Sequence, residues 1–197
     1  MIKQAIRWLA GNLDMCLKTD SNNQEGIKWY CDSDLAGLFA VDGETRSRQG
    51  ILGTYNGMPF YWNSSWIKCT CTSSGEAEVY ALSECVKIAL HFHWICDELN
   101  IPSPASITIH CDAEAALGFY KNLGGATQSR LKHIDLRSQW VCDMRDSKDI
   151  VLVQHIAGVE NPANFFTKVL GPTEFRRESA GFMSTTDVPD SMMEAMK

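Results

Sequence analysis

Apolar residues recur along this chain with two periods, and the changes of period mark its elements. Ile2, Ala5, Ile6, Leu9, Ala10 and Leu13 fall three or four apart, which predicts an opening helix weakened at Gly11-Asn12. Residues 19–26 are polar and read as a linker, so this first helix is expected to stand apart from the rest of the chain. The run IKWYCD then predicts a strand, followed by a long loop rich in turn and charged residues. ILGTY and MPFYW flank Asn56-Gly57, a pair that tolerates the positive φ of a tight hairpin turn. The second of these strands is read as running on towards Thr72.

The period then lengthens. Ser73 and Glu76 match a capping box, and Ala81, Cys85, Ile88, Phe92, Ile95 and Leu99 step along one face of a long helix. Asn100 and Pro102 end it. SITIHCD predicts a strand, AEAALGFYKNL a helix stopped at Gly124-Gly125, and HIDLRSQWVCDMRD another helix. A strand over 150–156 and a final helix over 161–170 complete the order βββαβααβα. Such an order gives an α/β mixed five-stranded sheet: three antiparallel strands, then alternating helices and strands, with helices packed on it. The residues divide into an opening segment over 1–24, a domain over 25–171 and a tail over 172–197 expected to be disordered.

Composition narrows the class. The length of 197 residues suits one domain with added segments, and 45% hydrophobic with 21% charged residues is ordinary for a globular chain. No apolar run is long enough to span a bilayer, and no leader-like apolar stretch is seen near the start, so no membrane partner is expected. The formal net charge is −6. That argues against a free-standing nucleic-acid binder, so any such contact must come from local basic residues: Arg46, Arg48, Arg130, Lys132, His133 and Arg137. Each alone is more simply a solvated surface charge. The eight cysteines fall at core-type positions and are expected to be free thiols in a reducing, intracellular setting. Cys69-Thr70-Cys71 and His91-Phe92-His93 carry zinc-binding atoms but not the paired spacing of a zinc site. Trp62, Trp66, Trp94 and Trp140 are read as core.

Three acidic residues carry the chemistry. Asp32 ends IKWYCD, Asp112 ends SITIHCD, and Glu78 is read in the first turn of the long helix. A carboxylate at the end of a buried strand is costly unless its charge is compensated. Three that converge when strands pair suggest a divalent-metal site, which requires the first strand to be central.

The words YCDSDLAG, PFYWNSSWIKCTCTSSGEAEVYALSE, IHCDAEAAL, LKHIDLR and ENPANFFTKVL, in this order, resemble the ribonuclease H domain of Ty1/copia-type retrotransposon Pol polyproteins. The opening MIKQAIRWLAGNLDMCLKTD is similar to the reverse transcriptase segment that precedes it in those polyproteins. The resemblance implies a ribonuclease H-like fold and Mg²⁺-dependent cleavage of the RNA strand of RNA–DNA hybrids. It implies two Mg²⁺ ions, with Mn²⁺ as a substitute, held by Asp32, Glu78, Asp112 and the residue at position 164. There the family pattern has Asp and this chain has Asn164, which predicts weak hydrolysis and a gain on Asn164→Asp. It also implies a helper role for His155, substrate contacts from the basic residues, and a reverse transcriptase partner in the same polyprotein. The setting would be cytoplasmic, a virus-like particle or the nucleus. The competing readings are a catalytically inactive remnant with a structural or nucleic-acid-binding role, and a transposase-like nuclease. The second fits less well, because those lack a helix-borne Glu this early.

Overall fold

In the computed structural model, residues 2–19, 22–37, 43, 45–102, 106–114, 117, 132–146 and 151–185 are described. The chain runs α1 (Ile2–Ala10), β1 (Met15–Leu17), β2 (Ile27–Asp34), β3 (Arg48–Tyr55), β4 (Met58–Trp66), α2 (Ser74–Glu98), β5 (Ile107–Cys111), α3 (Lys132–Asp146) and β6 (Val151–His155). Two short 3₁₀ turns (Gly158–Glu160 and Pro162–Phe166), α4 (Pro172–Ser179) and β7 (Met183–Thr185) complete it. The helix expected over 113–123 lies largely outside the described residues. No described helix is long and apolar enough to cross a membrane.

The main sheet has the order β4-β3-β2-β5-β6. Its first three strands pair antiparallel, and β2 pairs parallel with β5, as β5 does with β6. The first strand of the sheet is therefore central, as the convergence of Asp32 and Asp112 requires. Asn56 and Gly57 carry φ of 50° and 78° at the β3–β4 turn. Asn56 also accepts a hydrogen bond from Gly26 N (2.8 Å), which pins the turn to the start of β2.

Helix α2 packs its apolar stripe on the sheet. Val79, Leu82, Cys85, Val86 and Ala89 are buried against Trp29, Cys31, Ile51, Ile109 and Cys111. Trp29 is 1% exposed and meets the rings of Phe60, Tyr61 and Phe92 at 5.4–5.7 Å between centroids. Of the tryptophans assigned to the core, Trp62 and Trp94 are instead 54% and 59% exposed. Each lies on an element whose opposite face is the buried one. The α2 cap is close to the expected box: Ser73 Oγ accepts from Glu76 N, while Glu76 Oε2 turns one residue further back, to Thr72 N (2.6 Å) and Thr72 Oγ1 (2.9 Å). β4 stops at Trp66 rather than running on towards Thr72.

Two expectations about the ends are corrected. The opening segment is not detached, and the segment after Gly171 carries regular structure through Thr185. β1 pairs antiparallel with β7, and Lys18 N donates to Phe182 O at 2.7 Å. Trp8 of α1 stands edge-on to Phe175 of α4 at 5.6 Å, and Phe175 and Phe182 both meet Phe165. The two ends thus form one small aromatic unit behind the second 3₁₀ turn. A pairing across some 168 positions leaves no local pattern, so periodicity could not reveal it. Residues 186–197 of the expected tail lie outside the described residues.

Phe175 joins α1 to Phe165, so Phe175→Ala should loosen this unit at a cost of about 2–4 kcal/mol. Hydrogen exchange should show faster exchange in Met15–Leu17 and in Pro162–Phe166, with the β2–β5 amides unchanged.

Candidate active site

The site is built where β2 and β5 end side by side. Asp32, near the end of β2, is buried, and Asp112 follows β5 directly. Glu78 reaches them from α2. With Ser74 as the first helical residue, it sits in the second turn rather than the first. Together with Lys168 these three line one cleft of about 230 Å³.

Two glycines admit backbone next to the carboxylates. Gly50 is the β3 neighbour of Asp32. A Cβ there would meet Ala163 O at 2.7 Å and Thr167 Cγ2 at 2.9 Å, so only glycine lets the second 3₁₀ turn lie flat on the sheet. A Cβ on Gly158 would meet Asp112 Oδ2 at 2.9 Å. The close approach is used: Thr167 Oγ1 donates to Asp32 Oδ2. Asn161, 2% exposed, donates from Nδ2 to Cys31 O (3.0 Å) and Asp112 Oδ1 (3.1 Å). Its own Oδ1 accepts from Ala163 N at 3.1 Å. One side chain therefore ties β2, Asp112 and the 3₁₀ turn together.

These tethers explain why 161–170 is not the expected α-helix. Asn164 N bonds Asn161 O and Thr167 N bonds Asn164 O, the i to i+3 pattern of a 3₁₀ turn. The segment is held at one end by Asn161 and at the other by Thr167.

The electrostatics are those of incompletely compensated negative charge. Burial raises the Asp32 carboxyl to about 6, and Asp112 adds to the rise, while the Thr167 hydrogen bond and the Lys168 charge oppose it. Glu78 is raised by burial and then by Asp112 and Asp32.

Asn164, expected as the fourth ligand, does not line this cleft. Its Nδ2 donates to Gly158 O, and its Oδ1 accepts from Lys168 Nζ at 2.8 Å. The residue on the cleft wall is Lys168. His155 ends β6 exposed, beside Cys111, and is not on the cleft wall. The guanidinium of Arg48 lies 4.0 Å from the Trp66 ring centre and that of Arg46 lies 5.1 Å away. Arg137 covers Tyr80 at 4.0 Å and donates to Ser83 Oγ. Arg130 lies outside the described residues. Lys132 and His133 open α3, and their side chains also lie outside them.

Sequence reasoning gave no role to Asn161, Thr167 or Lys168. The signal was the spacing of NPANFFTK, where polar residues at 161, 164, 167 and 168 interrupt an apolar run.

The hard oxygen donors and their mutual repulsion suit a divalent cation. Among the described residues, no three His, Cys, Asp or Glu side chains stand together as a ready-made ion cage. The fit is thus in donor chemistry and charge.

No family model matches the chain. Among solved structures, ribonuclease H1 from the archaeon Halobacterium salinarum NRC-1 is 14% identical with a TM-score of 0.52, covering 77% of this chain and 98% of that one. LC11 ribonuclease H1, solved with an RNA/DNA hybrid, is 15% identical with a TM-score of 0.50, covering 72% and 93%. The fold is ribonuclease H-like. The retrovirus-related Pol polyprotein from transposon TNT 1-94 of Nicotiana tabacum is 31% identical over 174 residues, or 88% of this chain. The chain is similar to one segment of such retrotransposon Pol polyproteins. It spans 12% of the length of that relative.

The raised Asp32 carboxyl sets a pH dependence. Its folded value of about 6 exceeds the ordinary 3.8, so the folded state keeps this proton to higher pH. The stability from this group is fully present below 3.8 and is lost as pH rises through about 6. In chelator-treated protein, Asp32→Asn should therefore stabilise the fold at pH 7 by roughly 1–3 kcal/mol, a gain that vanishes towards about pH 4. Thermal unfolding across that range checks it.

Proposed function

We propose that this chain is a Mg²⁺-dependent ribonuclease H of a Ty1/copia-type retrotransposon, cutting the RNA strand of RNA–DNA hybrids during reverse transcription. The carrying observation is the single cleft that Asp32, Glu78 and Asp112 line beside the ends of β2 and β5. The hybrid bound by the LC11 enzyme supports the substrate class. The catalytic domain would begin near residue 25, with residues 1–24 as the end of a reverse transcriptase region.

Asp32, Glu78 and Asp112 would hold Mg²⁺, or Mn²⁺ in its place. A bound ion of this kind supplies an activated water and relieves charge on the phosphodiester. The chain's own part is positioning. Thr167 fixes one oxygen of Asp32, and Asn161 fixes one oxygen of Asp112, leaving the other oxygens for the cleft. Gly50 and Gly158 keep the backbone close enough for this. Arg48 and Arg46, held over Trp66 at the same end of the sheet, would meet backbone phosphates. Strand choice would rest on 2′-hydroxyls and duplex shape. His155 would act only on a loop movement that brings it to the cleft.

Helix α1 supports the reverse transcriptase partner. Ile2, Ile6 and Leu9 are 58–78% exposed, an apolar face suited to the preceding part of a polyprotein. The eight cysteines, free of disulfides, support a reducing intracellular setting.

A second reading is favoured by one observation. Asn164 brings no charge and has both ends of its amide engaged, which suits an inactive remnant that still binds nucleic acid.

A labelled-hybrid assay separates the two. The chain should nick the RNA strand with Mg²⁺ or Mn²⁺, slowly, and spare duplex DNA and single-stranded RNA, and Asp32→Asn should abolish cleavage. Hybrid binding without cleavage in either ion would select the remnant, and comparable cutting of duplex DNA would favour the transposase-like reading.

Arg48→Ala should weaken hybrid binding across sequences and lower the salt slope of log Kd by about 1, as expected for one lost phosphate contact. Fluorescence anisotropy at several salt concentrations measures both.

A further inference from the structure

We propose that Lys168 is a built-in cation of this site, doing the charge work of a second divalent ion, so that the three carboxylates hold a single ion. The inference rests on the reading of the cleft as a divalent-ion nuclease site.

Three observations carry it. First, Lys168 stands on the wall of the cleft that Asp32, Glu78 and Asp112 line. Second, Asn164 is committed elsewhere. Its oxygen accepts from Lys168 Nζ at 2.8 Å and its NH₂ donates to Gly158 O. Turning the amide over would set oxygen against the Gly158 carbonyl and NH₂ against the ammonium, so the orientation is fixed by both partners. The amide oxygen is not free for a metal.

Third, the charges balance. Three carboxylates carry three negative charges. One divalent ion and one ammonium carry three positive ones. The net is zero, the same as for four carboxylates around two divalent ions. In the free protein a second ion here would add two positive charges beside an ammonium already in place, and like-charge repulsion opposes that.

This reverses the expectation for Asn164→Asp. A carboxylate at 164 would place an oxygen against Gly158 O, losing that bond, and its charge would be taken up by Lys168. The number of bound ions should stay at one, and turnover should not rise.

The test is a Mn²⁺ titration of the full 197-residue chain, followed by the electron paramagnetic resonance signal of free Mn²⁺, beside single-turnover hybrid cleavage. The unmodified chain should bind one Mn²⁺ in the cleft, and Asp32→Asn should lose it. Lys168→Met should tighten Mn²⁺ binding roughly three- to tenfold, because a like charge is removed. It should also slow cleavage at saturating Mn²⁺ by roughly tenfold or more, because charge facing the phosphodiester is lost. Lys168→Arg should return both values towards the original. A purely structural lysine would lose affinity and rate together, and that result overturns the proposal. Two ions in the unmodified chain overturn it as well. One ion whose affinity does not change in Lys168→Met or Lys168→Gln overturns the proposal but not the reading beneath it. No ion bound by the unmodified chain, or one still bound by Asp32→Asn, overturns that reading and this inference with it.

Discussion

Negative charge gathered at the end of a buried parallel strand pair is the constraint on which this structure turns. β2 and β5 must run side by side and in the same direction to bring Asp32 and Asp112 together. Once they do, burial leaves Asp32 poorly hydrated as an anion. The chain meets part of the cost with donors rather than with full ion pairs. Thr167 takes one oxygen of Asp32, and Asn161 takes one oxygen of Asp112. Lys168 adds one positive charge. What stays uncompensated shows in the raised carboxyls of Asp32 and Glu78, and that remainder of unmet charge is what a cation would find.

All three donors come from one short segment, so the site depends on how that segment is held. It is pinned to the sheet at Gly50, where no side chain could stand, and to Cys31 O through Asn161. From behind, Phe165 and Phe166 face Phe175 and Phe182, and Phe175 carries Trp8. The two ends of the chain therefore brace the element that steadies the carboxylates. This gives the β1–β7 pairing a purpose beyond tidying the termini. Without it, Pro162–Phe166 would rest on a handful of polar bonds beside a charged cleft, and such bonds contribute only about 1 kcal/mol each.

Much of this was legible in the sequence, for reasons that can be named. The α2 helix and the Asn56-Gly57 turn are local signals, set by helical period and by positive φ, and both stand in the structure, although the buried face of α2 is centred on Val79, Leu82, Val86 and Ala89 and the expected stripe member Leu99 is exposed. Asp32 and Asp112 were legible because a polar residue closing an apolar run is costly and therefore informative. Positions 161–170 misled, since Asn161 and Pro162 are good helix starters, yet the long-range tethers to Cys31 and Asp32 tighten the turn to 3₁₀. Trp62 and Trp94 misled because hydrophobicity alone does not say which face of a strand or helix is inward. The terminal unit was invisible for a third reason: its contacts join residues more than 160 positions apart.

Asn164 shows how a local departure and its surroundings must be taken together. Seen alone, an amide where the resemblance implies a carboxylate is simply a missing charge. Its neighbours change that meaning. The NH₂ group has an acceptor, Gly158 O, that a carboxylate would repel, and the oxygen has a donor in Nζ of Lys168, a residue that also lines the cleft. A carboxylate would satisfy only the second of these. The amide is thus the side chain that fits both partners at once, and it ties the loop after β6 to the 3₁₀ turn as no acidic residue could. The local chemistry at position 164 is that of an amide held between Gly158 O and Lys168 Nζ, which adds no fourth carboxylate to the three that line the cleft.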